Sequence, residues 1–356
     1  MIPLLSVAVA FLLLAPAAPV RASPPAAPLI RAARAATDVA YRGEQLVATH
    51  LGGGVQVTLV RVEHDPQGWT RLEYRPVGTA RRWVVLRRAH EVIRYDPATR
   101  RGTWSSRDPA EQLDDDFATG HLPLLQDNYT VVRGTATLLG RPVDRIELRP
   151  RSGDRPTRRI DVDRTTGLAL RSERVSPDGR LVQLTAFLSL ELLPAGWAAR
   201  VGPPPDLRLK RRPAARAVTP EEAARRLGRP SLTVATPEGF RRVADYLLDG
   251  PRPTWQTIYS DGASTLLVSR EPGASPRPPV GSRRLDRAGG AVWVHDIGLQ
   301  RLVHWAYGGW RLTMVGEVST DSLLAAADRT GIAAPPRAWD RLLGWLAERG
   351  FPGFTP

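Results

Sequence analysis

The feature that most constrains the fold is a long alternation of apolar and polar residues between Ile160 and Leu192. In its last segment the even-numbered residues from Val182 to Leu192 are apolar, and the residues between them are mostly polar. A period of two is the pattern of a β-strand with one buried face. Turn sequences at Asp163–Gly167 and Ser176–Gly179 separate this strand from two earlier ones. The segment therefore predicts an antiparallel meander whose last strand buries its even-numbered residues.

Similar signals precede the meander. Residues 46–75 contain three strand-like segments joined by short turns, and the sequences at 95–104 and 139–142 predict further hairpins. The triple glycine at 52–54 is interpreted as a hairpin turn rather than a phosphate loop, because neither the Lys-Ser/Thr ending nor a following helix is present. Strands with few helices from about 41 to 192 favour one large sheet that curves around its apolar face.

The amino-terminal end and the composition limit where the protein works. An apolar run at 2–16, followed by Val20-Arg21-Ala22, predicts a signal peptide at 1–22, and this run is too short to span a membrane. The chain has no cysteine, which excludes disulfides, thiolate catalysis, cysteine-ligated zinc and a lipoprotein anchor. We therefore expect a soluble periplasmic protein with no transmembrane segment in its mature chain.

Basic residues outnumber acidic residues. The 50 Lys and Arg and the 36 Asp and Glu give a formal net charge of +14. Nearly all of the positive charge is arginine spread along strand-like segments, which leaves open a solvated basic surface or a surface for an anionic partner. A nucleic-acid partner is not expected for an exported chain.

Two domains are predicted from the length and from one change in composition. Residues 201–218 combine a proline triplet with a basic, weakly apolar run, which is the composition of a solvated linker. The linker separates a first domain at 35–195 from a second domain at 219–332. A tail at 335–356 contains one short amphipathic helix, with tryptophan and leucine on one face.

The second domain has helix signals at both of its ends. Thr219 and Glu222 form a capping box, and a second helix begins near Ser319 or Thr320 and ends at Gly331. Between these helices lie apolar-aromatic segments joined by glycine-containing turns. The second domain is therefore predicted to be a small α+β sheet.

No arrangement of residues predicts chemistry. The six histidines are scattered, and none forms HExxH or another pattern with metal-ligand spacing; His295 and His304, in strand-like segments of the second domain, are interpreted as structural. The aspartates at 114–116 lack the glycine and the terminal glutamate of an EF-hand loop, and no GxSxG or SxxK motif is present. We predict no catalytic, cofactor-binding or metal-binding residues, and a protein that is not an enzyme.

Several segments together resemble one family. They are YRGEQLV at 41–47, WVVLRRAHEVIRYDP at 83–97, the hairpin-rich stretch 138–192 and, in the second domain, TPEGFRRV, IYSDGASTLLVSREPG and WRLTMVGEV. In this order they resemble the MucB/RseB family of periplasmic sigma-E regulators. The resemblance implies a mainly β, α+β protein: an open antiparallel LolA-like β-barrel, formed as a half-barrel with short helices, followed by a smaller α+β sheet domain.

The resemblance also implies a function. The apolar concave face of such a half-barrel would hold acyl chains or an apolar segment of a partner. We therefore expect a non-enzymatic regulator that binds the periplasmic domain of an anti-sigma factor and senses lipid, lipopolysaccharide or lipoprotein acyl chains. The alternative is a periplasmic lipid or lipoprotein carrier of the LolA/LolB type. The oligomeric state is left open, and a homo-oligomer is compatible with the sequence.

Two sets of residues are candidates for binding. The lipid cavity is expected to be lined or plugged by residues of the strands and of the apolar segment that interrupts them: Trp83, Val85, Tyr95, Trp104, Phe117, Leu122 and Leu125. The partner is expected at the basic linker and at two aromatic turns of the second domain, where cationic and aromatic side chains combine: Arg208, Arg211, Arg212, Tyr259, Tyr307 and Trp310.

Overall fold

The computed structural model describes residues 27–51, 54–66, 69–88, 91–106, 122–152, 155–194, 202–212, 215–250, 252–275, 278–297 and 300–332. The predictions made for the signal peptide at 1–22, for the aspartates at 114–116, for Phe117 and for the tail at 335–356 lie outside these residues. No helix within the described ranges is long and apolar enough to cross a membrane.

The first sheet contains twelve of the described strands. Their bounds are β1 Tyr41–Leu51, β2 Gly54–His64, β3 Thr70–Pro76, β4 Trp83–Arg88, β5 Glu91–Asp96, β6 Arg101–Ser106, β7 Tyr129–Leu138, β8 Arg141–Pro150, β9 Thr157–Asp163, β10 Ala169–Val175, β11 Leu181–Leu192 and β12 Arg208–Arg211. Neighbouring strands follow the order β12-β6-β5-β4-β3-β2-β1-β11-β10-β9-β8-β7. Two meanders, β1–β6 and β7–β11, are therefore joined through the antiparallel pair β1–β11.

This arrangement confirms the predicted open antiparallel sheet. The strand order ends at β12 on one side and at β7 on the other, and these two strands are not neighbours in the described part of the chain. The predicted hairpin at 139–142 joins β7 to β8, and its Gly140 has a positive φ of 70°, which glycine adopts without steric cost. The sheet is therefore a half-barrel and not a closed one.

The described part of the first domain contains two helices, α1 Ala27–Asp38 and α2 Leu122–Asn128. The inner face is the side of the first sheet that packs with α1. Leu29 and Ala32 of α1 are buried in one cluster with Ile146 and Ile160 of β8 and β9. Toward β1–β5, the inner face buries a second cluster that includes Ala35, Val60, Val62, Leu72, Val85, Val92 and Phe187.

The predicted inward side of β11 is wrong for most of the strand. Thr185 and Phe187 are buried, whereas the even-numbered Leu184 is half-buried and Leu188 is exposed. The cause is a β-bulge: Gln45 of β1 pairs with Phe187 and the preceding residue of β1 pairs with Ser189, so that Leu188 is the extra residue. One extra residue exchanges the two faces of a strand. The uninterrupted alternation in the sequence therefore does not correspond to one buried face.

The described part of the second domain contains an eight-stranded sheet and two helices, which agrees with the predicted small α+β sheet. Its elements are β13 Ala215–Ala217, α3 Pro220–Arg226, β14 Arg241–Leu248, β15 Thr254–Ser260, β16 Thr265–Pro272, β17 Arg283–Arg287, β18 Gly290–Ile297, β19 Gln300–Tyr307, β20 Trp310–Gly316 and α4 Thr320–Thr330. The predicted caps are present: Thr219 Oγ1 accepts a hydrogen bond from the Glu222 amide at 3.2 Å, and Ser319 Oγ accepts one from the Ser322 amide at 3.1 Å. Helix α4 buries its leucines in one cluster with Trp255, Trp305 and Trp310 of the sheet.

The predicted linker at 201–218 contains two short strands. β12 pairs in parallel with β6 at the edge of the first sheet, and β13 pairs with β14 at the edge of the second. All four residues of β12 are exposed, which agrees with the prediction of a solvated segment. The linker is nevertheless fixed at both ends, because its backbone amides and carbonyls pair with strand edges that would otherwise be open.

Candidate functional site

The inner face of the first sheet is the candidate surface for an apolar ligand. Leu72 and Val85 pair across β3 and β4 on this face, and Tyr74 pairs with Trp83 one step further along the same strands. The Tyr74 and Trp83 rings are stacked, with centroids 5.2 Å apart and an angle of 6° between their planes. Both rings are only partly buried. This end of the inner face therefore offers a flat aromatic surface that solvent reaches.

The structure does not bring the predicted cavity residues together. Trp83 and Val85 belong to the inner face. Tyr95 pairs with Val84, which points to the opposite side of β4 from Val85, and Tyr95 packs there with Trp104. The prediction that these four residues line one cavity is wrong, because neighbouring residues of a strand face opposite sides of the sheet.

Tyr95 and Trp104 instead form an outer cluster with Val84, Leu86 and Ile93, against which Trp69 and Leu207 also pack. Leu207 precedes β12, and the guanidinium of Arg211 lies 4.8 Å from the centre of the Trp104 ring. A cation over an aromatic ring at this distance is attractive. The outer cluster therefore helps to hold the linker on the first domain.

The other two described cavity candidates lie in α2 and are buried. Leu125 belongs to the α1 cluster, and that cluster also includes Ala263 of the second domain. The amide nitrogen of Leu125 lies where a side chain on Gly262 would be, 2.2 Å from an ideal Cβ at that position. Leu125 is thus part of the contact between the domains.

A row of polar side chains crosses the inner face beside the apolar cluster. The pairing of β1 to β4 places Tyr41, His64, Thr70 and Arg87 in successive strands, each opposite the next. His64 Nδ1 lies 2.7 Å from Thr70 Oγ1, and its Nε2 lies 3.3 Å from the carbonyl oxygen of Thr37 in α1. Burial lowers the pKa of His64 and raises the pKa of Tyr41. Both groups are therefore neutral near pH 7.

The predicted partner residues divide into an exposed group and a buried group. Arg208, Arg211 and Arg212 are exposed in and beside β12, and Tyr307 is 38% exposed at the turn between β19 and β20. Tyr259 is buried, and Trp310 is 1% exposed in the core of the second domain. The prediction that Trp310 anchors a partner directly is corrected by this burial, since its ring packs against Trp255 with centroids 6.2 Å apart.

A buried carboxylate at the domain contact was not predicted from the sequence. Asp261, in the turn between β15 and β16, is 0% exposed. Its Oδ2 accepts a hydrogen bond from the Tyr129 hydroxyl at 2.8 Å and lies 3.2 Å from Arg155 Nη1, and both of these residues belong to the first domain. Its Oδ1 accepts hydrogen bonds from the backbone amides of Ala263 and Ser264 at 2.9 and 2.7 Å. Asp261 therefore organises its own turn and binds the first domain at the same time.

Asn128 and Glu317 make further contacts between the domains. Asn128 Nδ2 donates to the carbonyl oxygens of Gly239 and Asp261 at 3.1 and 2.9 Å. Glu317, which follows β20, forms ion pairs with Arg174 and Arg158 of the first domain. Local sequence gave one weak signal, the Asp-Gly of the turn at 261–262, but the partners lie more than a hundred residues away. The two sheets are thus connected by buried polar contacts as well as by the linker.

The two histidines of the second domain do lie near each other. His304 of β19 pairs with Trp293, two residues before His295 on β18, and its Nδ1 lies 2.6 Å from Thr313 Oγ1. Burial and the neighbouring His295 lower the pKa of His304 to about 4. Across the described residues, no three His, Cys, Asp or Glu side chains come close enough to hold a metal ion.

Comparisons with known proteins extend this description. No curated protein matches the sequence. Among solved structures, the fold is similar to Pseudomonas aeruginosa MucB in a MucA/MucB complex, with a TM-score of 0.55 and 18% identity over 89% of this chain and 100% of that one. It is also similar to MucB in complex with MucA(peri), with a TM-score of 0.53 and 20% identity over 85% of this chain and 96% of that one. At these identities the similarity establishes a shared fold that spans both domains.

The sequence itself gives the more specific match. Residues 25–213 match the model of the MucB/RseB N-terminal domain. The matched range covers more than half of the 356 residues and ends just after β12, so the first sheet and its linker strand fall inside it. The chain therefore belongs to the MucB/RseB family.

Proposed function

We propose that this protein is a non-enzymatic periplasmic regulator that binds the periplasmic segment of an anti-sigma factor. The observation that carries the proposal is the family match over 25–213, combined with a fold shared through both domains with MucB bound to MucA. The partner of this chain would be the corresponding protein in its own cell. By holding that segment, the protein would control the release of an envelope-stress sigma factor.

The exposed linker strand is the proposed docking site. Among the described strands, β12 is the last on its side of the first sheet, so the backbone groups along its outer edge would be available to a further strand. A periplasmic tail with little core of its own would bind such an edge as an added strand. Arg208, Arg211 and Arg212 would contact acidic groups of the tail. Tyr307, at an exposed turn of the second domain, is the proposed aromatic contact.

The inner face of the first sheet is the proposed lipid sensor. Its apolar cluster and the partly exposed Tyr74–Trp83 pair would accommodate an acyl chain of a lipid, lipopolysaccharide or lipoprotein. The buried contacts between the domains would carry a change at this face to the linker. Of the residues expected from the sequence, Trp83 and Val85 remain in this proposal, whereas Tyr95 and Trp104 belong to the outer cluster.

A capture experiment tests the docking site. The ectodomain of the single-span anti-sigma factor encoded beside this protein is immobilised, and binding of the full chain is measured by surface plasmon resonance. Exchanging Arg208, Arg211 and Arg212 together for serine should weaken binding by about tenfold or more, because each exposed charge pair contributes up to about 1 kcal/mol.

The matched control exchanges three arginines that are also exposed but lie elsewhere, Arg61, Arg180 and Arg284, whose side chains are 54%, 74% and 58% exposed. The two triple variants have the same net charge. Equal weakening in both would indicate a general charge effect and would reject β12 as the docking site. If the wild-type chain does not bind the ectodomain at all, the regulator proposal itself fails.

A carrier of the LolA/LolB type would use the same inner face. Two observations would indicate a carrier rather than a regulator: genes for lipoprotein release beside the gene for this protein, and transfer of a labelled lipoprotein from this protein to membranes. We favour the regulator, because a carrier has no evident need for a second sheet joined to the first by buried polar contacts.

A further inference from the structure

The strand β7 gives the first sheet a long free edge. Among the described strands, β7 is the last on its side of the sheet and pairs with β8 alone. Five of its ten residues are exposed, and Arg133, Gly134 and Thr135 are exposed in succession. Neighbouring residues of a strand point to opposite sides of the sheet. Both sides of this edge are therefore open to solvent along the middle of β7.

The composition of β7 differs from that of the other free edges of the two described sheets. Natural proteins protect free edges by keeping them short or by placing charged residues or proline on them. β12 and β17 have four and five residues, of which three in each are basic, and β13 has three residues. β7 has ten residues, no proline and one charged residue, Arg133. A second copy of the same strand would thus be repelled at β12 and at β17, but not at β7.

Gly134 lies in the middle of β7, where the described fold does not require a glycine. Its φ is not positive. A Cβ at this position would meet one described atom within 4 Å, the Cβ of Arg145 at 3.9 Å, which is an ordinary contact. Glycine weakens the interior of a strand, and it is often found there where another backbone approaches closely. Its position on an open edge therefore fits the approach of a second strand.

The sequence of β7 is compatible with pairing to itself. In an antiparallel dimer whose two-fold axis is perpendicular to the sheet, opposite residues face the same side, so the axis passes through one residue and its own copy. With the axis at Gly134, Arg133 of each copy lies opposite Thr135 of the other, and Val132 lies opposite Ala136. No like charges meet in this register, whereas an axis at Arg133 would place two guanidinium groups opposite each other.

The hydrogen bonds of such a pair are numerous enough for a protein interface. The register centred on Gly134 pairs residues 130–138 of one copy with the same residues of the other. Every second pair of an antiparallel ladder exchanges two backbone hydrogen bonds, so this length supplies about nine, and a typical interface has about ten.

We propose that two copies of this protein dimerise by antiparallel pairing of β7 with β7 about an axis at Gly134. The two first sheets then form one continuous sheet, and the β12 edges lie at its two far ends, where both stay free for the anti-sigma segment. This inference goes beyond the proposed function and does not depend on it, because β7 and β12 lie at opposite edges of the first sheet.

Sedimentation velocity of the full chain at a series of concentrations measures the monomer–dimer equilibrium. Three variants of β7 are compared with the wild type: T135E, T135K and T137E. Thr135 lies opposite Arg133 in the proposed register, whereas Thr137 lies opposite the uncharged Val131. T137E changes the net charge as T135E does and is therefore its matched control. Circular dichroism checks that each variant keeps the wild-type fold, which is expected because both threonines are exposed.

The wild type should dimerise as its concentration rises. T135E should lower the dissociation constant of the dimer by about threefold to thirtyfold, because two pairs of opposite charge form, one on each side of the axis. T135K should raise the dissociation constant by a similar factor, because two pairs of like charge form. T137E should change it by less than about twofold, since the residue opposite has no charge.

A wild-type chain that stays monomeric at every concentration would overturn the proposal. So would a dimer that neither T135E nor T135K changes, because its contact would lie elsewhere. If T135E weakens the dimer and T137E strengthens it, the axis lies at Thr135, where Thr137 faces Arg133, and the register centred on Gly134 is wrong.

The anti-sigma ectodomain separates this proposal from the regulator proposal. If the wild type is monomeric and T135K loses capture of the ectodomain, β7 binds the protein partner and not a second copy. Capture of the ectodomain by T135K at wild-type affinity keeps the regulator proposal standing even where the dimer fails.

Discussion

Removing the Asp261 carboxylate should destabilise the protein more than any other single loss of charge at the domain contact. The D261A variant leaves Arg155, whose side chain is 5% exposed, without its carboxylate, and it leaves the amides of Ala263 and Ser264 without their acceptor. Removing one partner of a buried ion pair costs about 3–5 kcal/mol. Against a total stability of about 5–15 kcal/mol for a folded domain, this loss is large.

The assay is urea unfolding of the full chain, followed by circular dichroism and tryptophan fluorescence. The midpoint is the measured quantity, because a chain with two domains need not unfold in one step. D261N keeps an acceptor for the turn and loses the charge, so it should fall between D261A and the wild type. D286A is the control, since the Asp286 carboxylate is 77% exposed and its pair with Arg284 contributes about 1 kcal/mol or less.

A double-mutant cycle with Arg155 separates the contribution of the Asp261–Arg155 ion pair to stability from that of the hydrogen bonds within the turn. If the ion pair carries the cost, D261A combined with R155M should be less destabilised than the sum of the two single variants. A loss below about 1 kcal/mol for D261A would refute the argument, because it would mean that the buried carboxylate contributes no more than a surface charge.

Three further outcomes are expected from the same unfolding assay. W310A should cost about 3–5 kcal/mol because a fully buried ring is removed, whereas Y307A, at an exposed turn, should cost less than about 1 kcal/mol. His304 has a pKa of about 4 in the folded state against an ordinary value of 6.5. The unfolded state therefore takes up the proton first as the pH is lowered, and the stability of the folded state should fall between pH 6.5 and pH 4. H304Q should flatten this pH dependence, which is measured as the urea midpoint at several pH values. G262A should be destabilised by more than about 1 kcal/mol, because Gly262 has a φ of 97° and its Cβ would meet the Leu125 amide; a midpoint equal to that of the wild type would contradict the close contact.

Local features could be predicted from the sequence because neighbouring residues decide them. The capping residue Thr219 and the stop at Gly331 depend on hydrogen bonds within one helical turn, and the structure has both as predicted. The hairpin at 139–142 follows from turn residues whose backbone conformation is a local property. Family and mainly β architecture could be recognised for the same reason, since motif order and alternation survive in the sequence.

The cavity prediction failed where the local sequence pattern does not indicate which side of the sheet a residue faces. Trp83 to Leu86 are four apolar residues in a row, so alternation gives no indication of which of them face inward. Only the pairing of Val84 with Tyr95 assigns Tyr95 to the outer cluster. The bulge opposite Gln45 was likewise not predictable from the local sequence. It changes the buried side of β11, and no turn residue marks its position.

The amino-acid sequence by itself determined the strands, the caps and the family of this protein. Only the tertiary structure decided which side of each strand is buried, that Asp261 meets Arg155, and that Trp310 lies in the core of the second domain. These contacts join residues far apart in the chain, as β1 and β11 are, and the register of such pairs is set by hydrogen bonds and packing across the whole sheet. Whether a side chain is buried or paired therefore depends on what the fold places beside it.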